Sequence, residues 1–328
     1  MAILIASHRV MVSRSFKSIA AEHQKMPKFS GRTAVVVGAA GGIGQTCAHR
    51  LAEAGFGVVA VGRNKPGRAE AVVAELNAKG GGPHEFRGCD AFSLTDVKDC
   101  ADGIVQDKGS IDALVMSQGM ATVQGFTPTV DGNDQKITLH LWSRAAFANQ
   151  LLPALNKSDM PKGPVVLSIL SGGVHSPYKG YKSDPELKDM YSIKNAADMA
   201  GYYNDLFFDA LARKPNNSKI NFVHSCPGFV NSNWGTEMPW YLKGVIRCMQ
   251  PLGKSTTECA EFMVDPVLRS AAGLEMIGRP NDASDGIFIM HEDATASKLT
   301  KEHTVDAVTS VWKTTAEVLR RSGIDIDV

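Results

Sequence analysis

The stretch from Thr33 to Gly55 constrains the fold more than any other part of this 328-residue chain. It opens with a short run rich in β-branched residues, ending at Val37, which is typical of a buried parallel strand. The turn and the start of the helical pattern follow at Gly38, Gly42, Ile43 and Gly44. A strand that runs through glycines directly into a helix aims backbone N–H groups and the positive helix end at one point, where a pyrophosphate can bind. The stretch therefore predicts a nucleotide-binding turn.

Charge and composition bear on whether the protein binds nucleic acid, spans a membrane or contains a metal site or disulfides. Lys and Arg number 35 against 34 Asp and Glu, so the balance does not favour a nucleic-acid partner. No apolar run has the length of a membrane span. The six cysteines are scattered without C-x-x-C spacing, so we expect no metal site and reduced core thiols in an intracellular protein.

The N-terminal residues have a different composition from the rest of the chain. They contain Arg9, Arg14 and Lys17, several serines, and no acidic residue before Glu22. This composition is typical of a mitochondrial transit peptide, so we expect a leader over residues 1–27 and a single domain over 28–328. A disordered leader or an extra surface helix is the alternative, and the protein would then be cytoplasmic.

Three segments resemble the short-chain dehydrogenase/reductase superfamily. The glycine spacing is similar to the family's T-G-x-x-x-G-x-G motif, with Val37 in place of Thr. The run I-D-A-L-V-M-S-Q-G, ending at Gly119, is similar to D-x-L-V-N-N-A-G, although Met116, Ser117 and Gln118 replace N-N-A. P-G-F-V-N-S, beginning at Pro227, is similar to P-G-x-V-x-T. Together these segments span most of the chain from Thr33.

The alternation of strand and helix patterns predicts an α/β fold. The resemblance implies a Rossmann-type, doubly wound, mainly parallel seven-stranded sheet in the order 3-2-1-4-5-6-7, with helices on both faces. It also implies a homodimer formed through the helices that follow strands four and five.

The end of the second strand bears on the choice of cofactor. At this position an acidic residue would accept a hydrogen bond from the ribose 2′-OH of NAD, whereas an arginine would pair with the 2′-phosphate of NADP. Because Arg63 follows the strand, we expect NADP rather than NAD. Gly41 stands at the family's other frequent basic position, which weakens this prediction. The resemblance further implies that the cofactor contacts Asp90, Ala91, Gly119, Pro227, Gly228, Val230 and Ser232.

The resemblance assigns the chemistry to a Ser and a Tyr-x-x-x-Lys pair. It implies that Ser171 polarises the substrate carbonyl and that Lys194 holds the ribose and lowers the pKa of the phenol. Met190 occupies the usual Tyr position, so we expect Tyr191, one residue later, to be the acid or base. Tyr178 and Lys182 match the spacing literally but lie too close to Ser171 and lack a helical pattern.

Counting back from Leu151-Leu152-Pro153 places His140 where the family has an Asn that holds a relay water. A histidine can bind a water as well and titrates near neutral pH. An ordinary helix histidine is an equal interpretation.

These observations predict an NADP(H)-dependent oxidoreductase that interconverts a carbonyl and an alcohol. The apolar segment within 229–253 favours a small apolar substrate, or it packs on its own domain or a subunit neighbour. The long spacing from Ser171 to Lys194 and the C-terminal tail resemble the retinol-dehydrogenase-like branch. The alternative is an NADP-binding, catalytically weak member that acts as a sensor or structural subunit, which Met190 favours. An unrelated Rossmann enzyme, such as a methyltransferase, does not explain P-G-F-V-N-S.

Overall fold

Seven parallel strands form the centre of the protein in a computed structural model that describes residues 14–232, 235, 238–277, 287–297, 299 and 302–326. Two further short strands pair with each other outside this sheet. The strands are β1 (Thr33–Val37), β2 (Gly57–Gly62), β3 (Glu85–Gly88), β4 (Ala113–Met116), β5 (Val165–Ile169), β6 (Asn221–Ser225), β7 (Val230–Asn231), β8 (Lys254–Ser255) and β9 (Ile287–Met290).

Helices cover both faces of the sheet. They are α1 (Phe16–Gln24), α2 (Gly42–Glu53), α3 (Arg68–Lys79), α4 (Leu94–Lys108), the short α5 (Gln135–Ile137), a π-helical turn (Thr138–Trp142), α6 (Ser143–Leu155), α7 (Ile193–Ala212), α8 (Trp240–Met249), α9 (Thr256–Ala271) and α10 (Val305–Arg321). Among the described residues, no helix is both long and apolar enough to cross a membrane.

The strand order is β3-β2-β1-β4-β5-β6-β9, and every pair in the sheet is parallel. The predicted α/β class and the predicted order 3-2-1-4-5-6-7 are therefore confirmed, with β9 as the seventh strand. The order reverses between β1 and β4, so the loops after these two neighbours leave in opposite directions and open a crevice at the carboxyl ends of the strands. This edge positions the candidate site.

The apolar core lies in two layers, one on each face of the sheet. One layer is formed with α1, α2 and α9, and the other with α4, α6, α7 and α10. In the second layer the rings of Phe207 on α7 and Trp312 on α10 stack with centroids 5.4 Å apart. This side of α7 therefore contacts the chain's own C-terminal helix. The homodimer stays a prediction.

The N-terminal helix α1 is fastened to α9 by a buried ionic cluster. Ile19 is fully buried beneath the helix. Arg14 Nη1 donates a hydrogen bond to Asp265 Oδ2 at 2.6 Å. His23 of α1 contacts Asp265 as well as Glu261, and both of these carboxylates belong to α9. From Arg14 onward, the predicted leader is thus a helix of the folded body. Residues 1–13, about half of the predicted transit peptide, lie outside the described residues.

The position of His23 fixes its protonation. Nδ1 lies 2.5 Å from Glu261 Oε2 and Nε2 lies 2.9 Å from Asp265 Oδ1, so the ring can donate to both carboxylates only as an imidazolium. Burial lowers the pKa of His23, but the hydrogen bonds and charges of Asp265 and Glu261 outweigh burial and raise it above its ordinary value. The docking of α1 therefore depends on a bound proton.

We expect the His23→Gln variant to lose about 2 kcal/mol of unfolding free energy at pH 6, because it removes the imidazolium that bridges two buried carboxylates, although Asp265 keeps Arg14 and Glu261 keeps Arg50 as partners. The folded-state pKa is above the unfolded value of about 6.5, so this stabilisation is complete below that pH and is lost as the pH rises through the folded-state pKa. Urea unfolding at pH 6 and pH 9 measures the difference. The difference in unfolding free energy between wild type and His23→Gln should be smaller at pH 9 than at pH 6. His49→Gln, which lies outside the cluster, is the control and should not show this pH dependence. The same difference at both pH values would contradict this account.

Candidate functional site

A cavity of about 710 Å³ opens at the carboxyl edge of the sheet, beside the point where the strand order reverses. Every residue that the sequence predicted to contact the cofactor lines it, apart from Lys194. These residues are Gly38, Gly42, Ile43, Gly44, Arg63, Asp90, Ala91, Gly119, Pro227, Gly228, Val230 and Ser232. The structure thus brings residues from five parts of the sequence, between Gly38 and Ser232, into the wall of one cavity.

The glycine turn at the start of α2 forms a cradle at the edge of the cavity, where the chain packs too closely on itself for a side chain at Gly44. A Cβ atom on Gly44 would lie 2.5 Å from the carbonyl oxygen of Gly38, and Gly38 itself has a φ of 85°. Gly41 is the N-cap of α2 and makes no side-chain capping bond. Backbone N–H groups of the first helical turn therefore face the cavity without a capping side chain, and phosphate oxygens fit that place.

Three basic side chains line the cavity next to the end of β2: Arg63, Lys65 and Arg68. Arg68 is the first residue of α3 and donates from Nη1 to the carbonyl oxygen of Ala40 at 3.1 Å, which holds it over the glycine turn. The sequence pointed to Arg63 alone. Lys65 and Arg68 were missed, although both follow within five residues of it. The trio gives this end of the cavity a positive charge suited to an added phosphate.

The opposite end of the cavity is apolar. Its lining there comes from the loop after β4, the π-helical turn, the end of β5 and the loop after β6. The side chains are Met120, Leu139, Leu170 and Phe229. The glycine-rich, basic end suits the charged part of a ligand. The apolar end suits an apolar substrate placed next to the ligand's reactive part.

Arg144 lies buried at the base of this edge and was missed by the sequence analysis. Its guanidinium donates to Ser168 Oγ at 2.6 Å, to the Ile169 carbonyl at 3.0 Å and to the Gln118 carbonyl at 2.6 Å. Burial lowers the pKa of Arg144 to about 9, so the group still carries its charge at neutral pH. It ties the carboxyl ends of β4 and β5 together.

His140 supports the loop after β4 rather than facing outward. Its Nε2 accepts a hydrogen bond from the backbone N–H of Met120 at 3.1 Å. Burial, together with the charges of Arg144 and Lys136, lowers the pKa of His140 to about 3. The ring is therefore neutral at physiological pH with one nitrogen committed to the backbone, which agrees with the interpretation as an ordinary helix histidine.

Ser171 lies at the end of β5 beneath α7 and does not line the cavity. Its Oγ is buried and has no hydrogen-bond partner among the described residues. A Cβ on Gly201 of α7 would lie 2.5 Å from that oxygen, so α7 presents backbone, not a functional side chain, to Ser171. The backbone N–H of Ser171 donates to His224 Nε2 at 3.1 Å.

A buried His–Asp–His group continues from that bond. His224 Nδ1 lies 2.5 Å from Asp205 Oδ1, and His175 Nε2 lies 3.1 Å from Asp205 Oδ2. Burial would raise the pKa of Asp205, but the two histidines outweigh it and hold the pKa far below its usual range. The three residues have the composition of a metal site. However, His224 Nε2 accepts a hydrogen bond from the Ser171 N–H, so the proton of the neutral ring is on Nδ1. Because Nδ1 carries that proton, it has no lone pair with which to bind a metal.

Tyr191 lies away from the cavity. The side chain of Ser192 accepts a hydrogen bond from Asn195 N–H at 3.0 Å and caps α7, so Tyr191 precedes the helix. Its hydroxyl donates to Asp134 Oδ1 at 3.1 Å, and its ring packs edge-on against Phe126. Burial, followed by Asp134, raises the pKa of Tyr191 well above its usual range, the opposite of what an acid–base phenol needs.

Lys194 is exposed in the first turn of α7, where it pairs with Asp198 of the same helix. It lines a separate surface groove with Tyr178 and Met190. The structure therefore does not bring Ser171, Tyr191 and Lys194 together.

None of the six tyrosines lines the cavity, and all six lie in the described part of the chain. Five of their hydroxyls are hydrogen-bonded elsewhere: Tyr178, Tyr181, Tyr191, Tyr202 and Tyr203. Tyr241 is exposed on α8. The described residues thus supply no tyrosine as a proton donor in this cleft.

We expect Tyr191→Phe to leave the affinity for a nucleotide unchanged and to lower the unfolding free energy by about 1 kcal/mol, because it removes the bond to Asp134 and no cavity group. Equilibrium unfolding and nucleotide titration measure the two effects. Tyr241→Phe is the control, since its exposed hydroxyl should matter to neither. Weaker nucleotide binding by Tyr191→Phe would contradict the placement.

Comparisons with known proteins agree with the observed fold. The family described as short chain dehydrogenase matches residues 32–181. "Oxidoreductase AN1596" of Emericella nidulans is 30% identical over 224 residues, which are 67% of this chain. The match spans 64% of that relative's length, so its activity as a whole protein does not transfer directly.

Two solved structures share the fold at low sequence identity. An uncharacterised protein of Mycobacterium paratuberculosis superimposes with a TM-score of 0.64 at 19% identity, covering 93% of this chain and 98% of its own. A short chain dehydrogenase of Burkholderia cenocepacia, solved in complex with NADP, has a TM-score of 0.56 at 19% identity, covering 76% of this chain and 95% of its own. At these identities the likeness concerns the fold alone.

Proposed function

Because this chain belongs to the short-chain dehydrogenase/reductase superfamily, we propose that it is an oxidoreductase that binds NADP(H) in the cavity at the carboxyl edge of the sheet. The observation that carries the proposal is the pairing of the glycine cradle with Arg63, Lys65 and Arg68 in one wall. The cradle suits the pyrophosphate, and the three cations suit a phosphate on the adenosine ribose. The Burkholderia structure was solved with NADP, so a protein of this fold is known to hold that cofactor.

The apolar end of the cavity supports a carbonyl or alcohol substrate with an apolar body. The bound cofactor would supply or accept a hydride there. Met120, Leu139 and Phe229 would exclude water and hold the substrate by contact area. Reduction also needs a proton on the substrate oxygen. Since Tyr191 and Lys194 lie elsewhere, we propose that another group, or solvent, delivers that proton.

A second candidate function is NADP(H) binding with little or no turnover, as in a sensor or structural subunit. The absence of a tyrosine from the lining of the described cavity favours it, together with the exposed position of Lys194. The two candidates share the cofactor and differ in the chemistry.

NADPH binding and NADPH oxidation, measured on the same preparation, separate the candidates. Binding is followed by calorimetry and oxidation by absorbance against a panel of apolar aldehydes and ketones. Turnover that survives in Tyr191→Phe supports the oxidoreductase with a different proton source. Tight binding without turnover on any substrate supports the second candidate. No binding of either dinucleotide contradicts both.

Replacing the basic residues that line the cavity tests whether the protein prefers NADP over NAD. We expect the double variant Arg63→Gln/Lys65→Gln to raise the Kd for NADPH at least ten-fold and to leave the Kd for NADH nearly unchanged, because only NADPH carries the 2′-phosphate. Calorimetric titration with both dinucleotides measures the ratio. Lys79→Gln, at the far end of α3, is the control and should change neither value. Equal losses for the two dinucleotides would contradict the assignment.

A further inference from the structure

Helix α8 and the turn after it expose large apolar side chains to an unusual degree. Trp240 is 84% exposed and Leu252 is 83% exposed, and they stand at opposite ends of the segment. Tyr241 and Met249 are also exposed, and the Tyr241 ring meets Trp240 edge-on with centroids 5.9 Å apart. Tyr241 and Met249 lie about 100° and 180° around the helix from Trp240, and ten helical residues span roughly 15 Å, so these side chains expose apolar area at both ends of α8. Such surfaces usually mark an interaction site.

The charge of the same segment has one sign. Lys243 and Arg247 are exposed three and seven residues after Trp240, which places all three along one side of the helix. No Asp or Glu occurs from Met238 to Thr257. Among its described residues the surface therefore combines aromatic rings and cations without an acidic residue, and Glu237 and Glu258 lie just outside this stretch of sequence.

The segment is anchored at the rim of the cavity. Gln250 Nε2 donates to the Ser232 carbonyl at 2.5 Å, and Ser232 lines the cavity. Strand β8, which follows the segment, pairs with β7, so both ends of the connection are fixed at this rim. The exposed face thus has a defined position on the protein.

We propose that α8 and residues 250–252 dock on the surface of an anionic phospholipid bilayer. Tryptophan and tyrosine rings favour the headgroup region, where an apolar body and a polar edge are both accommodated. Lys243 and Arg247 lie beside Trp240, at the depth where lipid phosphates would meet them. A second copy of the same surface would bring like charges together, which disfavours self-association through this face.

Vesicle sedimentation with the full chain tests the proposal directly. We expect binding to vesicles of phosphatidylcholine with 30% phosphatidylserine, at least ten-fold weaker binding to phosphatidylcholine alone, and weakening by added salt. Tryptophan emission should shift to the blue on binding. Of the other tryptophans, Trp142 and Trp312 are buried, and all proteins compared in this emission measurement carry Trp234→Phe, so Trp240→Phe should abolish most of the shift. Equal binding to both vesicle types, or no binding, overturns the proposal.

Paired variants separate the two contributions. Lys243→Gln/Arg247→Gln should weaken binding to anionic vesicles roughly 25-fold, at about five-fold per cation. Lys219→Gln/Lys313→Gln removes two exposed cations from other elements and should change binding less than two-fold. Trp240→Ala/Leu252→Ala should also reduce binding at least ten-fold, whereas Val130→Ala, equally exposed in another loop, should not.

Two outcomes would assign the surface to another occupant and overturn the proposal. Light scattering that shows a dimer lost in Trp240→Ala/Leu252→Ala would indicate a second copy. A blue shift on adding NADPH without vesicles would indicate that α8 closes over the cavity. NADPH affinity in these variants, measured by calorimetry, should equal that of the wild type, which keeps this test independent of the proposed function.

Discussion

The carboxyl edge of the sheet depends on one buried cation. Arg144 reaches from the first turn of α6 to the ends of β4 and β5, and its acceptors are mainly backbone carbonyls, with Ser168 Oγ as the side-chain partner. A buried guanidinium is costly to desolvate, and several short hydrogen bonds compensate for that cost. Gln118 and Ile169 are thereby held at fixed positions. The loops that leave those strands, which carry Met120 and Leu170 into the cavity, start from this fixed edge.

Much of the fold could be predicted because its signals are local. The β-branched run of β1, the glycine turn and the spacing of α2 lie within 23 consecutive residues, from Thr33 to Gly55, and each follows from backbone sterics. The P-G-F-V-N-S run, apart from Asn231, and Arg63 lie in the cavity wall for the same reason: each follows a strand of a parallel sheet. The carboxyl ends of such strands meet at one edge.

The chemical centre could not be predicted in the same way. The assignment of Tyr191 and Lys194 depended on the residue at which α7 begins. Ser192 caps the helix, so Tyr191 falls outside it and turns toward Asp134. A serine three residues before Asn195 was a usable cap signal. No local signal pointed to Asp205 between His175 and His224, because that group forms only when α7 crosses the end of β6.

The π-helical turn over Thr138–Trp142 has a consequence for comparing this chain with others. A π-turn contains one more residue than the α-helical turn it replaces. Counting back from Leu151-Leu152-Pro153 to His140 passes through that extra residue. Two sequences aligned without a gap across this segment match in space only when both contain the same bulge. The residues before 138 and the residues after 142 should therefore be aligned separately, with a gap allowed between the two alignments at the π-helical turn.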